Sequence, residues 1–113
     1  MSKSYTVMSD AALGSLVSLG RRLKEARLRR NWTQGQTAHK AGLSESSVKK
    51  VEAGSARITI GAYLSLLDIF GLPTVFDRVI AAGDDAIGEA LGRSATRQRA
   101  GKPRQSAKDE WEI

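Results

Sequence analysis

Residues 32–54, WTQGQTAHKAGLSESSVKKVEAG, hold a short polar run whose side chains suit hydrogen bonding at the edge of a nucleic acid base. Val48, Val51 and Glu52 recur at three- and four-residue spacing and so share one helix face, which leaves Glu45, Ser46, Lys49 and Lys50 pointing elsewhere. Lys can bond guanine O6 and N7, Ser several base edges or a phosphate, and Glu can accept from cytosine N4. A DNA major groove is wide enough to admit such a helix. The same composition also suits a surface helix with an ordinary solvated polar face.

These side chains are useful only if something holds them, and local signals supply the frame. Thr33 precedes a polar-apolar run and has Gln36 three residues on, a capping box that starts a helix at about Gln34. Gly42 ends that helix after Ala41, and Ser44 is the N-cap of a second. The predicted order is helix, tight turn, helix.

Upstream, Leu16, Leu19, Leu23 and Ala26 mark the apolar face of a helix from Leu13 to Arg30, capped by Ser9 or Asp10. Arg21, Arg22, Lys24 and Arg29 make its other side basic. Arg27 falls on the core side and needs a buried partner, for which Glu52 is the candidate because it continues the inward Val48 and Val51 face.

Downstream, Thr59 can cap a helix that is apolar nearly all round, from Ile60 to Phe70, with Gly71 ending it. Pro73 suits the first turn of a further helix running through Val75, Phe76, Val79 and Ile80 to Ala82. The apolar surplus over one buried stripe points to a homodimer, although these residues could instead complete a monomeric core. Asp84 and Asp85 can open a short helix through Ile87 and Leu91.

The chain has 113 residues, 41% of them hydrophobic, which allows one domain plus polar ends. We therefore expect a disordered segment over residues 1–9, one helical domain over 10–92 and a flexible tail over 93–113. The tail includes RSATRQRAGKPRQSAK, six basic residues with no acid, and closes on DEWEI. Trp111 in that acidic tip could anchor in a protein partner, Trp being enriched in binding hot spots, or be an ordinary solvated terminal residue.

Net charge is +6 and the pI about 10.1, which favours a polyanion or acidic partner. With no cysteine, disulfides and thiol catalysis are excluded. The one histidine, His39, reads as a surface residue, since a metal site needs three or four ligands. No phosphate-binding glycine loop or paired carboxylates are evident, so neither catalysis nor a cofactor or metal is expected. No aromatic stacking set supports RNA binding. Without a long apolar segment or signal pattern, a cytoplasmic protein without membrane contact is the expectation.

Thr33, Gln34, Ala38, Gly42, Ser44, Val48, Glu52 and Gly54, preceded by an amphipathic helix, match the pattern of the Xre and Cro family of helix-turn-helix repressors, which the chain resembles from about Leu16 to Leu72. Thr37 stands where Leu is usual, and Gly35 where helix formers are common, so the first motif helix should be weaker than usual. The resemblance implies an all-α, five-helix, lambda-repressor-like fold, and the same buried pair at Arg27 and Glu52. It further implies that Thr33 and Gln34 meet a phosphate, that Ser44, Glu45, Ser46 and Lys50 face base edges, and that Ser47, Lys49 and Arg57 hold the flanking backbone of double-stranded DNA, unless Arg57, just past Gly54, instead approaches the minor groove. A dimer of this kind reads a palindromic operator.

The Leu72-Pro73 step, the Val75, Asp77, Arg78 and Val79 spacing, the basic linker and the Trp111 end also resemble HipB-type antitoxins. That likeness implies a repressor of its own operon that binds a HipA-like kinase toxin. A stand-alone or phage-type regulator shares the same motif, and a protein-interaction module without DNA readout uses the same fold.

Overall fold

In the computed structural model, which describes residues 8–98, local capping starts most helices where the side chains direct. Ser9 Oγ accepts from Ala12 N at 3.1 Å and opens α1, Asp10–Arg29. Thr33 Oγ1 accepts from Gln36 N at 3.0 Å while Gln36 Oε1 accepts from Thr33 N at 2.8 Å, so both halves of the capping box start α2, Gln34–Ala41. Gly42 closes α2 in the left-handed conformation, at φ 70°, with Leu43 N donating to Ala38 O at 2.9 Å. Ser44 Oγ then accepts from Ser47 N at 3.1 Å and opens α3, Glu45–Glu52. Thr59 stands at the N-cap of α4, Ile60–Ile69, in extended conformation but without a side-chain cap bond.

The core forms where these four helices converge. Val48, Val51 and Leu66 are fully enclosed, and Leu23, Ala26, Ala38, Ala62, Tyr63, Leu67 and Phe70 complete the buried cluster. Leu64, Ile69, Val75 and Phe76 pack half-buried against it, so part of the apolar surplus of α4 and the following segment is used within the chain; Ile60 remains exposed.

The helix expected over Pro73–Ala82 is reduced to one 3-10 turn, Val75–Arg78. Val75 and Phe76 reach the core, but Val79 and Ile80 are exposed, and Ile80 takes a positive φ of 58°. Val79 and Ile80 are β-branched and weaker helix formers than Leu or Ala, so local propensity does little to extend this turn. The fifth helix is instead α5, Ala86–Gln98. Asp85 caps it, Oδ1 accepting from Gly88 N at 3.1 Å, and Glu89 Oε2 accepts from Gly83 N at 2.8 Å.

Helix α5 continues through residues 93–98, where a flexible tail was expected. That stretch lacks apolar periodicity, yet Leu91, Arg93, Ala95, Arg97 and Gln98 have good intrinsic helix propensity and extend a helix once Asp85 has started it. The chain divides into two compact units, Met1–Phe76 and Asp77–Ile113. No strand occurs among the described residues, and the fold is all-α with five α-helices. The expected disorder of residues 1–7 and 99–113, and the partner role of Trp111, lie outside the described residues.

Candidate nucleic-acid interface

The site is built around a buried clamp. Arg27 Nε donates to Glu52 Oε2 at 2.5 Å and its Nη2 to Oε1 at 3.1 Å, with only 9% and 5% of the two side chains exposed. Arg27 Nη1 donates to Trp32 O at 2.9 Å, and Gln34 Nε2 donates to Glu52 Oε1 at 3.0 Å. One carboxylate thus ties the end of α1, the start of α2 and the end of α3. A fork-to-fork pair fixes orientation as well as distance, because both guanidinium N–H vectors must meet both oxygens.

Gln34 therefore uses one amide N–H inside the protein. The backbone N–H groups of Gln34 and Gly35 lie in the first turn of α2, where a helix offers no internal acceptor, and they are the groups suited to an anionic oxygen. Thr33 is spent on the cap.

Helix α3 buries Val48 and Val51 and exposes Glu45, Ser46, Lys49 and Lys50, the division that its spacing predicts. Glu45 and Lys49 approach to 3.7 Å on the exposed face. Ser44 donates its hydroxyl to Ser47 Oγ at 2.9 Å while capping the helix, so both serines are bound into the α3 start. Arg57 follows in the exposed loop, where its backbone N donates to Ser55 Oγ at 3.1 Å. Tyr63 anchors that loop by donating its hydroxyl to Ser55 O at 2.8 Å, and burial raises its pKa above the ordinary value of 10.0.

Several supporting residues lie outside the expected set. Trp32 stacks on Phe70 with ring centroids 5.9 Å apart, and Arg30 lies 4.8 Å over the Phe70 ring while Lys40 lies 4.8 Å over Trp32. Arg30 also donates to Ala26 O and Phe70 O, at 2.9 and 3.0 Å, fastening the end of α1 to the end of α4. The only sequence signal was the placement of two cations and a Trp around α2. His39 is exposed on α2 and lines, with Trp32, Gly35, Gln36 and Lys40, an open depression of about 470 Å³.

A capped helix, a left-handed glycine turn and a second capped helix with its polar face outward, braced by α1, form a helix-turn-helix unit. The family model described as a helix-turn-helix domain matches residues 18–77. The chain belongs to the helix-turn-helix domain family. In this helix-turn-helix protein, α2 and α3 are the motif, and the family membership makes the chain an Xre-like DNA-binding regulator. No curated protein and no solved structure matches the chain. No helix among the described residues is long and apolar enough to cross a membrane.

Proposed function

We propose that this helix-turn-helix regulator is a sequence-specific transcriptional repressor that binds a palindromic operator as a homodimer, without catalysis or a cofactor, in the cytoplasm. The observation that carries this reading is the exposed polar face of α3, clamped through Glu52 to α1 and α2. With α3 in the major groove, Ser46, Glu45 and Lys50 reach base edges. Lys49 and Arg57 reach flanking phosphates, and the first turn of α2 sets the register. Two copies would read half-sites roughly 34 to 36 Å apart, or a multiple of that spacing.

Fluorescence anisotropy with the DNA upstream of its gene and a shuffled control, at several salt concentrations, tests this. Tighter binding to the native fragment with two chains per site is the expected result. Equal, steeply salt-sensitive binding to both fragments would remove sequence readout and favour a protein-interaction module.

At a finer level, the regulator acts as the antitoxin of a HipA-like kinase toxin module and represses its own operon. Val79, Ile80, Ile87 and Leu91 support a protein partner, since each leaves more than half of its surface exposed. Isothermal calorimetry with a co-encoded kinase, for the native chain and Trp111→Ala, checks it: weaker binding by the variant supports the anchor, and no complex with either chain returns the protein to a stand-alone or phage-type regulator.

A further inference from the structure

Gly35 is an unusual choice inside a short helix. It occupies the second position of an eight-residue helix, where a glycine forgoes helix propensity, and its φ is not in the left-handed region that would require it. Its neighbour across the motif explains it. A Cβ placed on Gly35 would lie 3.3 Å from Glu45 Oε1, closer than a side chain and a carboxylate oxygen ordinarily approach. The other oxygen of the same carboxylate, Oε2, is 3.7 Å from Lys49 Nζ one turn along α3. The Glu45 carboxylate thus lies over the open face of Gly35 on one side and beside the charge of Lys49 on the other.

That berth sits at the first residue of the reading helix, where 55% of the Glu45 side chain is exposed. An acid there is costly beside a polyanion unless it meets a hydrogen-bond donor. Lys49, beside the acid and within reach of the flanking phosphates, offsets part of the phosphate repulsion. In the major groove, guanine presents only acceptors at N7 and O6, and thymine an acceptor and a methyl group. Adenine sets its N6 donor beside the N7 acceptor, which repels a carboxylate. Cytosine presents its N4 donor flanked by an acceptor on one side only, the O6 of the paired guanine, whereas the adenine donor lies between its own N7 and the O4 of the paired thymine.

We propose that Glu45 is a cytosine-selecting acceptor, with Gly35 as its positioning residue and Lys49 as its charge partner, so that each operator half-site contains a cytosine under the N-terminus of α3. This rests on the reading of α3 as a major-groove helix. Gly35 keeps the berth open at the expense of α2 stability, and Lys49 offsets part of the charge.

Selection from a randomised DNA pool with the full chain, Glu45→Gln and Gly35→Ala, together with thermal melts of each, tests this. The native chain should enrich a cytosine at one fixed position per half-site, favoured about tenfold over other bases. Glu45→Gln should move that position to adenine, whose N6 and N7 suit an amide, and leave the other positions unchanged. Gly35→Ala should melt a few degrees higher yet lose several-fold discrimination at that one position, opposite signs that a purely structural role for Gly35 does not produce. The same enriched sequence for the native chain and Glu45→Gln would overturn the assignment and leave DNA reading by α3 intact. Full discrimination in Gly35→Ala would overturn the role of Gly35. No enriched sequence for the native chain would overturn both this assignment and the repressor reading.

Discussion

Gly20 of α1 and Gly54, just past α3, face each other across a space that admits no side chain. A Cβ on Gly20 would lie 2.5 Å from Val51 O and 2.7 Å from Gly54 N, and one on Gly54 would lie 2.7 Å from Leu16 O and Val17 N. Gly54 also takes a φ of 72°, which a side chain disfavours. The approach lets α1 lie against the end of α3 and brings Arg27 within reach of Glu52. Gly20→Ala should push the helices apart and destabilise the fold by roughly 1 to 3 kcal/mol. Urea denaturation reads this directly, and an unchanged midpoint would mean that α1 shifts without loss.

Removing one partner of the buried pair strands the other. Glu52→Leu leaves the Arg27 guanidinium without its carboxylate and Gln34 without its acceptor, and should cost about 3 to 5 kcal/mol. Arg27→Met/Glu52→Leu should recover part of that loss because no uncompensated charge remains. A double-mutant cycle by chemical denaturation measures the coupling; strictly additive losses would show that the two groups do not stabilise each other.

Thr37 carries the opposite kind of defect. It is fully buried, and its Oγ1 finds no hydrogen-bond partner. Thr37→Val keeps the shape and removes the stranded hydroxyl, so it should stabilise the protein by about 1 kcal/mol. A thermal or urea midpoint at or below the native value would show that the hydroxyl is satisfied in solution.

Tyr63 predicts an alkaline weakness. Burial raises its folded pKa, so the unfolded chain, ionising near 10.0, loses its proton first. The stability contributed by the neutral, buried phenol is complete below that pH and is lost as pH rises toward the folded pKa. Tyr63→Phe should cost about 1 kcal/mol at pH 7 through the lost bond to Ser55 O, and show a smaller fall in stability between pH 9 and about 11 than the native chain. Parallel curves for the two proteins over that range would assign the alkaline loss to other groups.

Lys50 is exposed on α3. Lys50→Ala should relax preference at one base position and cost roughly 1 to 3 kcal/mol of operator binding. Competition binding against operator variants reads both quantities, and an unaltered preference would remove Lys50 from the reading set.

The helix-turn-helix unit was legible in the residues because its signals act over three or four positions. Thr33 with Gln36, Gly42 and Ser44 each satisfy or terminate backbone groups next to themselves, and no distant partner is needed to complete the bond. The inward faces of α1 and α3 followed from helical period, and the shared inward direction of Arg27 and Glu52 named both members of the clamp.

Other features depended on which surface was free to receive a side chain. Gln34 turns one amide N–H toward Glu52, Arg30 reaches Phe70 O on another helix, and the Glu45 carboxylate lies over Gly35. The segment after Pro73 stops being helical once Phe76 has reached the core, while α5 extends beyond its apolar residues because propensity carries it. The sequence by itself determined where the motif helices start and stop and which faces turn inward, since those outcomes are set by near neighbours along the chain. Only the tertiary structure decided which polar groups are consumed inside and which remain for DNA, because that depends on atoms far apart in sequence competing for the same few positions in space.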